Sequence, residues 1–224
     1  MTDVLSRIEM LDKTTIEKFP ILLPNKFKNL DFVIQTLNLL ELPHYFFDEN
    51  TNYKIKNIIV TTHTAPAGNY NQNQIKKLSD KLKLKSCIGN PKIITRKIWL
   101  SRSNQKRRLI KNEDEIVNFL IKRGYEVIYP DELSIIEQIK IFNNADTIIS
   151  AHGAALTNLM FANENAKILE IRIFSDSVRN AFFSLASEFN LKYYYFLADA
   201  NSENLVEDLY IDLQKFQEVV KLLD

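Results

Sequence analysis

Short apolar runs alternate with amphipathic stretches along the carboxy-terminal part of the chain. The runs predict five strands, at residues 98–100, 127–129, 147–149, 167–171 and 193–197. A run without polar interruption, such as Ile148-Ile149, is typical of a strand in a parallel sheet that is covered on both faces. Strands that alternate with helical stretches in this way predict a doubly wound α/β domain with a Rossmann-like parallel sheet.

Capping residues mark the ends of the helices between these strands. Asn112 is placed to cap a helix that Gly124 terminates. Ser134 begins the next helix, and Glu137 three residues later completes a capping box. The same reasoning predicts three further helices, at residues 156–161, 178–189 and 205–223.

The amino-terminal part shows a weaker version of the same pattern. Residues 58–60 are an apolar run that predicts a strand, and residues 74–82 predict a helix. Gly89-Asn90-Pro91 then interrupts the pattern. We therefore predict a partial amino-terminal α/β domain at residues 1–91, on the acceptor side, and a Rossmann-like carboxy-terminal domain at residues 92–224.

The composition narrows the class of protein. Lysine and arginine total 29 and the acidic residues 28, so the net charge of +1 gives no overall attraction to nucleic acid or to an anionic membrane. No uncharged apolar run reaches the ~20 residues that span a bilayer, and the first residues lack the apolar core of a signal peptide. Because Cys87 is the single cysteine, these features together predict a cytoplasmic protein without disulfides.

The motifs of several enzyme classes are absent from the sequence. The histidines His44, His63 and His152 are far apart, and no Asp-x-Asp triplet is available to hold a divalent cation. The Gly-x-x-x-x-Gly-Lys phosphate loop, the Gly-x-Gly-x-x-Gly dinucleotide fingerprint and the Gly-x-Ser-x-Gly elbow of hydrolases are also missing. We therefore predict neither a metal site nor a bound cofactor.

A basic loop follows the first strand of the carboxy-terminal domain. Residues 101–108 contain Arg102, Lys106, Arg107 and Arg108, at the edge where an open parallel sheet binds its ligands. A guanidinium group offers paired donors that fit a phosphate, and it stays charged at every working pH. The alternative is a solvated basic loop without a ligand, but the position of the loop favours an anion site.

A turn of small residues follows the strand at residues 147–149. Gly153, Ala154 and Ala155 allow a ligand to approach the backbone, and the first amides of the next helix point toward an anion there. His152 stands beside this turn, where it can donate a hydrogen bond to a phosphate or exchange a proton near neutral pH. A histidine at a strand end can equally be a structural residue, so both interpretations stay open.

Glu170, near the end of the next strand, is the third candidate. A carboxylate at this edge of the sheet can accept hydrogen bonds from ribose hydroxyl groups. It can also form an ion pair with Arg102 or Arg108 that only holds the loops together. The sequence favours neither interpretation over the other.

The order and spacing of several motifs resemble glycosyltransferase family 61, whose members include bacterial transferases of the capsular-polysaccharide type. The motifs that carry the resemblance are Ser101-Arg102, Arg108-x-x-x-Asn112-Glu113, Tyr129-Pro130-Asp131, Asn144-Ala145-Asp146, His152-Gly153-Ala154, Leu156-Thr157-Asn158 and Glu170. A weaker similarity reaches back through residues 65–70 to about residue 21.

This resemblance implies a GT-B arrangement of two facing Rossmann-like domains, with the donor mainly in the carboxy-terminal one. It implies an inverting, metal-independent transfer of a hexose or pentose from a nucleotide sugar to a glycan or other hydroxyl acceptor, in capsular or cell-surface polysaccharide synthesis. Arg102 and Arg108 would hold the diphosphate, His152 the phosphate region and Glu170 the ribose. The full set of residues implied at the donor site is Arg102, Arg108, Asn112, Glu113, His152, Gly153, Ala154, Asn158 and Glu170.

Two departures from the family pattern bear on activity. Ala155 replaces the second glycine of the usual His-Gly-Ala-Gly turn, and the amino-terminal domain is shorter than in typical members. His63, in the loop after residues 58–60, is the candidate general base. A protein that binds a nucleotide sugar without transferring it stays open as an alternative, as does a nucleic-acid-binding module that uses residues 106–111. A shortened domain would also expose apolar surface and favour a homo-oligomer.

Overall fold

The computed structural model of the protein describes residues 2–88, 96–174, 180–200 and 207–223. The helices are α1 (Thr2–Ile8), α2 (Lys13–Lys18), α3 (Asp31–Leu39), α4 (Gln72–Lys85), α5 (Glu113–Ile121), α6 (Ile135–Asn143), α7 (Ala181–Glu188) and α8 (Leu213–Lys221). The strands are β1 (Ile21–Pro24), β2 (His44–Phe47), β3 (Arg96–Leu100), β4 (Tyr125–Ile128), β5 (Ala145–Ala151), β6 (Lys167–Ile173), β7 (Lys192–Ala200) and β8 (Leu209–Tyr210). Short 3₁₀ helices lie at Asn25–Phe27, Pro130–Glu132 and Ala154–Phe161.

Strands β3 to β8 form one sheet in the order β4-β3-β5-β6-β7-β8. Neighbouring strands from β4 to β7 are parallel, whereas β8 pairs antiparallel with the end of β7. This mostly parallel sheet with helices on its faces confirms the predicted α/β class. It is compatible with a Rossmann-like domain of the GT-B type.

Helices cover both faces of the large sheet, because successive side chains of a strand point to opposite sides. Ile148 and Ile168 belong to a buried cluster that packs against α4, α6 and α7. Trp99 and Ile149 belong to a second buried cluster, which packs against α5 and α8. The uninterrupted apolar runs of the sequence therefore reflect burial on both faces of the strands.

Strands β1 and β2 form a separate two-stranded parallel sheet. The predicted strand at residues 58–60 is wrong, because these residues pair with no strand among the described residues, and Ile58 is 63% and Val60 77% exposed. An apolar run becomes a strand only where a neighbouring backbone supplies its hydrogen bonds. The residue that follows this segment is instead bound by a side chain of α1, because Arg7 Nη2 donates to the Thr61 carbonyl oxygen at 2.9 Å.

The hydrophobic core is continuous across the predicted domain boundary. Leu37 and Leu78 from the amino-terminal part share a buried cluster with Ile98 and Ile139. The boundary itself, Gly89-Asn90-Pro91, lies outside the described residues. The division between residues 91 and 92 thus stays a prediction, while the packing shows that α4 belongs to the layer on one face of the large sheet.

Two predicted helix ends differ in the structure. Asn112 precedes α5 but does not cap it, because its side chain exchanges hydrogen bonds with the backbone of Ile211 at 2.8 and 3.1 Å. The predicted helix at residues 205–223 begins later than expected, since Leu209–Tyr210 form β8 and the Asp212 side chain caps α8. Asn112 thus binds the residue that follows β8. The two residues are far apart in sequence, so no local pattern indicates this contact.

The capping box predicted for α6 is confirmed and gives a stability prediction. The Ser134 hydroxyl accepts from the Glu137 amide, and the Glu137 carboxylate accepts from the Ser134 amide. Ser134→Ala should lower the free energy of unfolding by about 1 kcal/mol, measured by urea denaturation. Ser187→Ala is the control, because the Ser187 hydroxyl donates to the Phe183 carbonyl oxygen within α7 and caps nothing. An equal loss in both variants would contradict the capping role.

Candidate functional site

The candidate residues lie where the strand order of the large sheet reverses. From β3 the chain crosses to β4 on one side, and β5 then returns to the other side of β3. Loops that leave two such strands in opposite directions open a crevice at the carboxyl edge of the sheet, where α/β proteins bind ligands. The basic loop after β3 and the small-residue turn after β5 are therefore neighbours.

Arg102 connects these two loops. Its Nε donates to the Arg108 carbonyl oxygen at 3.2 Å and its Nη2 to the Arg107 carbonyl oxygen at 3.1 Å. A Cβ atom added to Gly153 would lie 2.3 Å from Arg102 Nη1, so the guanidinium occupies the space that a side chain would take. Gly153 has an extended φ of 179°. The glycine is therefore required by close approach and not by backbone conformation.

Arg108 reaches the same turn from a strained backbone. Its φ is 55°, a left-handed conformation that residues other than glycine seldom adopt. Its Nη1 donates to the His152 carbonyl oxygen at 3.0 Å. Strain of this kind persists where the surroundings impose it, and it clusters at functional sites. The basic loop is thus shaped to place two guanidinium groups at the turn after β5.

Among the described residues, no carboxylate forms an ion pair with either guanidinium. Within the described ranges, Arg102 and Arg108 make their hydrogen bonds to backbone carbonyl oxygens. Burial lowers the pKa of Arg102, and the charge of Arg108 lowers it further, while Asp131 and Glu113 act in the opposite direction. A bound anion would relieve both unfavourable effects, so the arrangement is suited to an anionic ligand.

Asn112 and Glu113 form the base of the basic loop. Glu113 Oε1 accepts from Trp99 Nε1 at 2.9 Å and from the Arg102 amide at 3.4 Å. Asn112 binds the backbone of Ile211, as described above, and both side chains are buried. Their observed contacts hold the loop in place, and direct contact with a donor stays a prediction for both residues.

His152 belongs to a chain of three polar side chains that crosses the sheet, with Glu170 buried and His152 and Tyr193 half-buried. Its Nδ1 is hydrogen-bonded to Glu170 Oε1, and the Tyr193 hydroxyl donates to Glu170 Oε2. The ring also packs against Phe182, with centroids 5.1 Å apart. The Glu170 side chain is 1% exposed, whereas that of His152 is 16% exposed. One part of the imidazole is thus held from behind while another part reaches the surface.

The structure tests one of the two contacts weighed for Glu170 from the sequence, the ion pair with an arginine. The ion pair with Arg102 or Arg108 is wrong, since both carboxylate oxygens are engaged by His152 and Tyr193. Burial, followed by the charge of Glu170, raises the pKa of Tyr193, so the phenol keeps its proton and remains a donor. A ribose contact would have to share an oxygen with one of these partners, and that role stays a prediction.

Asn158 and Ala154, which follow the turn after β5, line a cleft of about 500 Å³. The Asn158 side chain donates to Gln138 Oε1 at 2.7 Å, and Gln138 Nε2 donates to the Pro130 and Leu133 carbonyl oxygens, both at 3.0 Å. These contacts fix the loop that forms one wall of the cleft. The opposite wall includes the beginning of α3, with Asp31 and Phe32 among the lining residues.

His63, the candidate base, lies elsewhere in the described structure. Its Nδ1 is 3.2 Å from Asp3 Oδ1 of α1, and its side chain is 71% exposed. It is not among the residues that line the cleft. The structure therefore does not bring His63 together with the other predicted site residues, and its role as a base stays a prediction.

Tyr193 is the site residue that sequence reasoning missed. The register pairs Tyr193 with Ile168 and Glu170 with Ser150. Side chains two residues apart share a face of a sheet, so Tyr193, Glu170 and His152 lie diagonally along one face. The signal was available only after the strand register was known, because nothing in the local sequence relates the three positions.

Two negative findings apply to the described part of the chain. It contains no cluster of three histidine, cysteine or acidic side chains that could hold a metal ion. It also contains no helix that is both long enough and apolar enough to cross a bilayer.

Comparison with known proteins gives consistent matches. The sequence model of the family described as Glycosyltransferase 61 matches residues 1–169. The chain is 38% identical over 77 residues to an EGF domain-specific O-linked N-acetylglucosamine transferase of Mus musculus. It is 34% identical over 85 residues to an alpha-1,3-arabinosyltransferase of Oryza sativa subsp. japonica. These segments cover 32% and 36% of this chain but 14% of each relative, so the chain matches a small part of their length.

Proposed function

This chain belongs to glycosyltransferase family 61, and from this premise we propose that it binds a nucleotide sugar and transfers the sugar to a hydroxyl group of a glycan. The observation that carries the proposal is the pair of guanidinium groups at Gly153. Arg102 and Arg108 converge there without an acidic partner among the described residues. A diphosphate supplies the negative charge and the paired oxygen acceptors that two such groups can bind.

In the proposed reaction, the acceptor oxygen forms a bond to the anomeric carbon as the bond between that carbon and the diphosphate oxygen breaks. The configuration of the sugar is inverted because the acceptor attacks from the opposite side. The acceptor proton passes to a general base, and the diphosphate leaves with the bonding electrons. Arg102 and Arg108 would stabilise the charge that develops on it, without a metal ion.

The cleft beside the turn is the proposed acceptor site. It lies between the loop after β4 and the beginning of α3, and both polar and apolar residues line it. The exposed ring of Phe32 offers a surface on which a sugar can stack, and Asp31 offers oxygens for its hydroxyl groups. We place the reaction in capsular or cell-surface polysaccharide synthesis, with the enzyme in the cytoplasm.

The proposal is tested by calorimetry with uridine, guanosine, cytidine and thymidine diphosphate sugars, followed by an assay of donor hydrolysis and transfer. We expect at least one nucleotide sugar to bind and to be turned over. Absence of binding by the whole series would overturn the proposal. Binding without turnover, with a range of acceptors, would favour the alternative that the protein binds a donor but does not transfer its sugar.

Metal independence is a separate prediction of the proposed function. Because two guanidinium groups meet the diphosphate, donor affinity and turnover should be the same with excess EDTA as with added Mg²⁺ or Mn²⁺. Loss of affinity after treatment with EDTA, restored by one of these cations, would show that a metal contributes to donor binding.

A further inference from the structure

The two polar side chains behind His152, Glu170 and Tyr193, extend the proposed function. His152 lies at the turn that the two arginines approach, and its backbone carbonyl oxygen accepts a hydrogen bond from Arg108. On its inner side it contacts Glu170, and Glu170 contacts Tyr193. A buried carboxylate and a half-buried phenol that together support one partly exposed ring are more than the packing of a loop requires.

The two contacts of Glu170 define a tautomer for His152. When Glu170 is ionised, its carboxylate only accepts hydrogen bonds, so the proton shared with His152 then comes from Nδ1 and the proton shared with Tyr193 comes from its hydroxyl. With Nδ1 committed to Glu170, Nε2 is the ring nitrogen left for a ligand. In water a neutral histidine carries its proton mainly on the other nitrogen, so this tautomer is imposed by the protein.

The geometry of the sheet makes the arrangement rigid. Tyr193 is on β7, Glu170 is on β6, and His152 follows the end of β5, so three adjacent parallel strands each hold one member. The His152 amide also donates to the Ile171 carbonyl oxygen at 2.8 Å, which extends the pairing of β5 with β6 as far as the histidine. The Tyr193 ring packs edge to face against Phe183, with centroids 5.5 Å apart.

We propose that Glu170 and Tyr193 are positioning residues that hold His152 with one proton on Nδ1 and direct Nε2 at the donor, where Nε2 takes up a second proton from solvent as the donor binds and donates it in a hydrogen bond to the diphosphate. This role rests on the proposed function, because it assigns the ligand that Nε2 meets. Neither positioning residue has to touch the donor. The Tyr193 hydroxyl keeps the Glu170 carboxylate in one orientation, and the carboxylate in turn keeps the imidazole in one orientation and one tautomer.

The test measures the tautomer directly, without a ligand. The chain has three histidines, so nitrogen-15 NMR of histidine-labelled protein gives a simple spectrum, and the signal lost in His152→Asn identifies His152. We expect neutral His152 in the wild-type protein to carry its proton on Nδ1. In Glu170→Gln both tautomers should be populated, because an amide can donate as well as accept. In Tyr193→Phe the Nδ1 proton should exchange faster with water, because one carboxylate oxygen loses its partner.

The same variants are then compared in donor binding and turnover. Tyr193→Phe and Glu170→Gln should each reduce turnover by about tenfold, by analogy with the lower end of the range for residues that orient a metal-bound histidine. Tyr194→Phe is the matched control, because it removes a hydroxyl from the next residue of β7, whose side chain is 40% exposed. It should leave the His152 signals and turnover unchanged.

Two results would overturn the positioning role. One is a wild-type His152 with its neutral proton on Nε2. The other is a pair of variants, Tyr193→Phe and Glu170→Gln, that keep the wild-type tautomer and turnover. Failure of the proposed function is recognised separately, because the wild-type protein itself would then bind none of the nucleotide sugars.

Discussion

Arg102→Ala is expected to weaken the binding of a nucleoside diphosphate by about 10- to 100-fold, which corresponds to about 1.5–3 kcal/mol for a hydrogen bond to a charged group. The guanidinium is half-buried against Gly153, has no acidic partner within the described residues and faces the charge of Arg108. Its removal takes away both the donors and the charge that a diphosphate would meet. Titration calorimetry with the nucleotide that binds the wild-type protein measures the effect.

The matched control for this variant is Arg107→Ala. It removes the same charge from the same loop, but the Arg107 side chain is exposed and its backbone carbonyl group, which accepts from Arg102, is retained. We expect its affinity to stay within about twofold of the wild type, since an exposed charge contributes little. An equal loss of affinity in the two variants would show that binding depends only on the overall charge of the loop and not on the position of Arg102.

Gly153→Ala is expected to reduce turnover by up to about 100-fold, because a displacement of about 1 Å near a reacting group can cost that much. The added Cβ would lie 2.3 Å from Arg102 Nη1 and 3.4 Å from Arg102 Cζ, so the guanidinium has to move. The backbone itself tolerates alanine, since its φ of 179° is available to any residue. The expected defect is therefore local, with little change in thermal unfolding.

The double variant Arg102→Ala/Gly153→Ala separates displacement of the guanidinium from other effects. If the alanine acts by moving Arg102, its effect should disappear once the guanidinium is absent, and the two substitutions should be strongly non-additive. Additive losses would instead indicate that the methyl group blocks the ligand itself. Turnover and affinity measured for all four proteins of this cycle distinguish the two cases.

Much of the fold follows from local sequence signals. The predicted strands at 98–100, 147–149 and 167–171 lie in β3, β5 and β6, because burial on both faces of a sheet favours mostly apolar residues; in 167–171 Lys167 and Glu170 interrupt the pattern. The capping box at Ser134 also formed as predicted, because it depends on residues only three positions apart. The position of the candidate site followed from the general rule that ligands bind at the carboxyl edge of such sheets.

Other predictions failed where a distant residue decided the local structure. Residues 58–60 have the composition of a strand, but no described strand lies beside them to supply hydrogen bonds. Asn112 is of a residue type that often caps helices, yet its side chain forms its hydrogen bonds with the backbone of Ile211. A secondary-structure propensity reflects only the local sequence. Here the residues that decided the local structure come from far along the chain, so the propensity could not indicate them.

The sequence by itself determined the α/β class, most of the strands and the identity of the cations and the histidine at the site. Those features depend on apolar periodicity and on residue chemistry, which are properties of the chain alone. Only the tertiary structure decided that Arg102 lies against Gly153 and that Glu170 serves His152 and Tyr193 instead of an arginine. Such choices depend on strand order and register, which bring side chains from separate strands to within hydrogen-bonding distance.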